Sequence, residues 1–81
     1  MKSIDKIIYL VSWIANVPVK EILPSTHIQE DLNVDSIDFM LLTIQIEKLF
    51  KVDFSHEDVE KIETIQDANN LILRQLELSP A

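Results

Sequence analysis

The chain has 81 residues and no glycine. Tight β-hairpin turns favour glycine because it reaches positive φ at no steric cost, so a hairpin-rich β fold is disfavoured. The same absence removes the phosphate-cradling loops, the dinucleotide fingerprint and the Gly-flanked nucleophile elbow, each of which depends on glycine for its backbone geometry. Apolar residues make up 47% of the chain, so it is globular. At this length it forms one small domain, spanning residues 1–81, with just enough core to fold unaided.

Helical periodicity fills the space that glycine leaves. Ile4, Ile7, Leu10, Val11 and Ile14 define a first helix over about Ile4–Asn16, with Ser3 as its expected cap. Pro18 disfavours helix at Val17 and ends that element. A long connection over about Val17–Val34 follows, with a single helical turn expected in Val19–Leu23 and Ile22, Leu23, Ile28 and Leu32 as anchors. The second helix runs over Ser36–Phe50, and Val52 and Phe54 of the following crossover face inward. Ser55 caps a short helix around Glu57–Lys61. The last helix starts at Thr64, with Ile65, Ala68, Leu71, Ile72 and Leu76 as its inward stripe. Residues 79–81 read as a frayed tail. The fold class is all-α: a small bundle of three main helices plus one short one. Tyr9 and Trp13 fall off the centre of the first helix's core stripe and are expected to be partly buried.

Charge and composition narrow the function. The formal net charge is −7, and ten of the fourteen acids lie between Glu30 and Glu63. Such a field repels nucleic acid and anionic membrane, and steers basic protein partners. No stretch reaches the roughly 20 apolar residues of a membrane span, so membrane insertion is not expected. The start, Met-Lys-Ser-Ile-Asp-Lys, does not resemble a signal peptide. Without cysteine there are no disulfides or thiolate metal sites, and a cytoplasmic location fits. His27 and His56 lack metal-ligand neighbours at motif spacing.

At 100° per residue the second helix has two apolar sides. Phe39, Leu42, Ile46, Leu49 and Phe50 form the core side. Ile37, Met40, Leu41 and Ile44 lie nearly opposite, with Asp38 and Gln45 on one flank and Thr43 and Glu47 on the other. So small a bundle has little material to cover a second side, so this ridge and Glu47 read as a partner face.

Residues 31–38 read Asp-Leu-Asn-Val-Asp-Ser-Ile-Asp. Asp35 and Ser36 are both good cap types, and Asp38 stands three residues after Asp35, much as in a capping box. Ser36 is therefore either a plain cap or an exposed hydroxyl at the positive end of a helix, where an attached anion is favoured. A calcium loop is the competing pattern, with Asp31, Asn33 and Asp35 at positions 1, 3 and 5. Its turn glycine and bidentate glutamate are replaced by Ser36 and Leu42, so no metal site is expected. A hydrolytic role for Ser36 lacks a placed base and an oxyanion hole.

Asp35-Ser36-Ile37-Asp38, with Asp31-Leu32 upstream, Phe50-x-Val52-x-Phe54 downstream and Thr64-Ile65-Gln66-Asp67-Ala68 opening the last helix, resembles the acyl carrier proteins from about residue 4 to residue 73. The resemblance implies a discrete carrier, not an enzyme. It implies that a phosphopantetheinyl transferase, using Mg²⁺ and coenzyme A, attaches 4′-phosphopantetheine to Ser36 within the recognition context of Asp35 and Asp38. It implies acyl-loading, acyl-transfer and condensing enzymes as partners, a monomeric state, and an acyl pocket among Ile28, Phe39, Ile46, Phe54, Val59, Ile62 and Ala68. A peptidyl or aminoacyl carrier, and an unmodified helical interaction module, remain open beside it. Three positions depart from the family: Asn33 stands where glycine is usual, and Leu41 and Lys48 where acids are common.

Overall fold

The computed structural model describes residues 2–78. Three long helices dominate: α1 (Ser3–Ala15), α3 (Ser36–Phe50) and α5 (Ile65–Leu78). Two short helices, α2 (Ile28–Asp31) and α4 (His56–Glu60), and a 3₁₀ turn (Val19–Glu21) lie between them. The all-α bundle read from periodicity is present, and α3 has the expected bounds. α2 is an addition to it. Four residues are too few to show a helical period, which is why the sequence gives no warning of this turn.

The core is aliphatic. Ile7, Val11, Ile28, Leu42, Ile46, Ile65 and Ile72 are its largest fully buried side chains. Burying one such side chain stabilises the fold by about 1.5–3 kcal/mol. α1 contributes Ile7, Ile8 and Val11, α3 contributes Phe39, Leu42 and Ile46, and α5 contributes Ile65, Ala68 and Ile72.

The long connection after α1 is packed and hydrogen-bonded, and this positions the start of α3. Ile28 N–H donates to Glu63 O at 2.8 Å, Ile65 N–H to Thr26 O at 3.2 Å and Gln66 N–H to Pro24 O at 2.9 Å. His27 and Thr64 form an isolated antiparallel bridge. The connection is thereby stitched to the entry of α5, with Ile22, Ile28 and Val34 as buried anchors.

Without glycine, the left-handed positions fall to other residues. Asn16, Asn33 and Lys51 have φ of 58°, 56° and 56°. Asn16 and Lys51 close the C-termini of α1 and α3, their N–H groups donating to Ser12 O and Glu47 O. Asn33 turns the chain between α2 and α3.

Several expectations need correction. Ser3 does not cap α1: Lys2 is the cap residue, and Ser3 Oγ donates to Asn69 Oδ1 at 2.6 Å, tying α1 to α5. That bond satisfies an asparagine that is itself buried. Leu23 is exposed: Ile22 before it is extended and buried, and successive side chains of extended backbone point opposite ways. Thr43 is buried, its hydroxyl satisfied by Met40 O at 2.8 Å, while Leu49 lies half in solvent. Leu76 is exposed too, one turn beyond Ile72, where the buried stripe of α5 ends. Tyr9 and Trp13 are not tucked in; they face solvent on the outer side of α1. The expected tail at 79–81 lies outside the described residues.

Candidate functional site

The N-terminus of α3 separates two roles that the sequence leaves merged. Asp35 is the cap residue, with extended backbone, and its Oδ1 accepts the N–H of Asp38 at 2.8 Å. Phe39 N–H donates to Asp35 O at 2.8 Å and starts the helical ladder. Ser36 is then the first helical residue and is exposed. The cap bond is made by Asp35 and not by the Ser36 hydroxyl, which has no hydrogen-bond partner among the described residues. The N–H groups of Ser36 and Ile37 have no carbonyl partner within a helix, as at any helix start. The positive end of α3 therefore favours an anion carried on this hydroxyl.

The two acids of the calcium-loop pattern are committed elsewhere. Asp31 Oδ2 accepts His27 N–H at 2.8 Å, and Asp35 Oδ1 is held by Asp38 N–H. His27 itself caps α2, its Nδ1 accepting Glu30 N–H at 3.2 Å. His56 sits on the surface against Glu60 at 2.9 Å.

Beside Ser36 the second side of α3 is open. Ile37 is 79% exposed, Met40 64%, Leu41 41% and Ile44 40%. The structure thus brings the four apolar residues of this ridge together in solvent. Glu47 differs from them: it is half-buried, and its Oε2 accepts Phe54 N–H at 2.9 Å, fastening the crossover after α3. The sequence gives no sign of this second duty, because the bond spans seven residues and depends on how the crossover folds back.

Ile28, Phe39, Ile46, Ile62 and Ala68 belong to one buried cluster, and Phe54 and Val59 pack against it, half-buried. Val59 lies on α4 and Phe54 on the crossover before it.

α4 and α5 have caps of their own. Ser55 and Asp58 form a reciprocal capping box at α4, and the Ser55 backbone N–H bond is the largest cause holding the Asp58 carboxyl below its usual range. Thr64 and Asp67 do the same at α5, where Asp67 Oδ2 accepts the N–H of both Glu63 and Thr64 at 3.0 Å. The Thr64 N–H bond is the main cause of the lowered Asp67 pKa.

A family model described as a phosphopantetheine attachment site matches residues 5–72. The chain belongs to the acyl carrier protein family. It is 37% identical over 73 residues to an acyl carrier protein of Buchnera aphidicola subsp. Schizaphis graminum (strain Sg), covering 89% of this chain and 92% of that relative. Its prosthetic group is 4′-phosphopantetheine, whose thiol holds acyl groups as thioesters. The exposed hydroxyl at the start of α3 fits that group: it lies at the positive helix end, beside N–H groups that have no helical partner. As a carrier it works with a transferase that installs the arm and with biosynthetic enzymes that load and unload it.

Proposed function

We propose that Ser36 bears the 4′-phosphopantetheine arm, and that the chain, as one domain over residues 1–81, shuttles acyl thioesters between enzymes of fatty acid, polyketide or related lipid biosynthesis. The observation that carries this is the division of labour at the start of α3, where Asp35 completes the cap and leaves the Ser36 hydroxyl exposed. The chain's own contribution is positional: the hydroxyl is held at a fixed point on a rigid helix, with Asp35 and Asp38 beside it for recognition. The transferase supplies Mg²⁺ and coenzyme A, and the chemistry of loading and condensation belongs to the partner enzymes.

Those partners dock along Ile37, Met40, Leu41 and Ile44, with Glu47 at the edge as a brace more than a contact. The exposure of this ridge next to Ser36 supports that role. The acyl chain is accommodated among Ile28, Phe39, Ile46, Phe54, Val59, Ile62 and Ala68. Half-buried Phe54 and Val59 stand at its margin, so a chain enters there by displacing them. The carrier acts as a monomer in the cytoplasm.

Fragment mass spectrometry after treatment with coenzyme A, Mg²⁺ and a broad-specificity transferase tests the site. The added group should map to Ser36. Its appearance on Ser3, Ser12, Ser25, Ser55 or Ser79 would overturn the assignment.

A further inference from the structure

The charge of this chain is divided unevenly. Residues 1–19 carry Lys2 and Lys6 against Asp5, while the remainder carries thirteen acids against five bases. From the cap residue along α1, the outward stripe at helical spacing is Lys2, Lys6, Tyr9 and Trp13. Trp13 is 77% exposed and Tyr9 54%. Together with Leu10 and Leu49 of α3 they border a shallow groove of about 350 Å³ in which Lys6 is the one charged residue. Lys6 Nζ stands 6.0 Å from the Phe50 ring, so its stem runs along apolar surface with the ammonium at the edge. Leu49 lies about 20 Å along α3 from Ser36, at 1.5 Å per residue, so this face is separate from the attachment site.

Exposed tryptophan and tyrosine flanked by lysine, with no acid in the groove, is the composition that sits at a lipid headgroup boundary. Tryptophan and tyrosine suit protein interfaces as well, but lysine is depleted there, and the flanking lysines favour an anionic headgroup layer. A second copy is disfavoured by the like charge of −7 on each chain. The patch of four apolar side chains also falls short of the roughly 800 Å² per partner of a stable interface. The net negative charge does not forbid contact with an anionic surface. The molecule measures 35 × 27 × 19 Å, whereas charges are screened over about 8 Å at physiological salt, so the stripe acts locally.

We propose that the Lys2–Lys6–Tyr9–Trp13 stripe of α1 rests reversibly on anionic lipid surfaces, leaving α3 free to engage enzymes. Trp13 is the only tryptophan in the chain and reports on its own contact. With vesicles of phosphatidylglycerol and phosphatidylcholine in about equal parts at low salt, Trp13 emission should move to shorter wavelength and the protein should sediment with the vesicles. Roughly 0.5 M NaCl should release it, since lysine–headgroup attraction is screened over a few ångströms there. Lys2→Glu/Lys6→Glu should lower vesicle affinity about tenfold or more, and Trp13→Ala should lower it without loss of fold, as the side chain is mostly in solvent. Ser36→Ala should bind as wild type does, which keeps this test independent of the attachment site. Absence of sedimentation at low salt, equal binding to pure phosphatidylcholine, or full binding by the lysine double variant would each overturn the proposal.

Discussion

The Asp35 carboxylate holds the N–H of Asp38 at 2.8 Å, and this bond completes the cap of α3 without the neighbouring serine. Residue 36 is thereby relieved of a structural duty that its type would suit. Removing the two side chains should have different consequences. Asp35→Ala should cost about 0.5–2 kcal/mol, the usual loss of a cap. Ser36→Ala should stay within about 0.5 kcal/mol of wild type, as for an exposed substitution with no lost partner. Thermal denaturation of both variants checks this, and an equal loss in both would mean that Ser36 shares the cap.

Leu41 and Leu42 are adjacent on α3, about 100° apart around the helix, and 41% and 1% exposed. Leu41→Glu should change stability by less than about 1 kcal/mol. Leu42→Glu removes core packing worth roughly 2–5 kcal/mol and buries a carboxylate besides. If Leu41 is a docking contact, its variant should keep its melting temperature yet turn over more slowly with an acyl-loading enzyme. Large and equal destabilisation would refute the two-sided helix.

Much of this arrangement is legible in the sequence. The two apolar sides of α3 follow from 3.6-residue spacing alone, and Asp35, Ser55 and Thr64 announce helix starts by chemistry. What the sequence hides is long-range. The hydrogen bonds from residues 24–28 to residues 63–66 join segments that share no local pattern, and they turn an apparent loop into a packed segment carrying α2. Ser3 has the type of a cap but is claimed by Asn69, sixty-six residues away. At the attachment site the motif narrows the choice to Asp35 or Ser36, and only the backbone of residue 35 decides which one caps.

Lys51 closes α3 in the left-handed conformation at φ 56°, where a side chain with Cβ is disfavoured. Lys51→Gly should raise stability by up to about 1 kcal/mol, the Cβ penalty being partly offset by glycine's freedom in the unfolded chain. Chemical denaturation of the variant beside wild type measures it. A loss of stability would mean that the lysine side chain holds the helix end by contacts of its own.

Acid should weaken the entry to α5. The Asp67 carboxyl is held below its ordinary value of 3.8, chiefly by the Thr64 N–H. A depressed folded-state pKa gives stability that is present above the unfolded value and lost as pH falls through the folded one. The wild-type advantage over Asp67→Asn should therefore shrink as pH drops below about 4. Comparison at each pH removes the opposing relief of charge repulsion, which both proteins share. An advantage that stays constant down to pH 2 would contradict the assignment.

Repulsion among clustered carboxylates should limit stability near neutral pH, given a net charge of −7. The melting temperature should rise between low salt and roughly 0.2 M NaCl, as screening shortens the range of that repulsion. A fall over this interval would show that attractive pairs dominate.

Ser36, and no other hydroxyl, should be the point at which the carrier is made functional. Intact mass spectrometry tests it most directly. Wild type and Ser36→Ala, both verified as folded by circular dichroism, are incubated with coenzyme A, Mg²⁺ and a broad-specificity phosphopantetheinyl transferase. Wild type should gain the mass of one phosphopantetheine and the alanine variant none. Modification of the variant, or a wild type left unmodified by several transferases, would contradict the account.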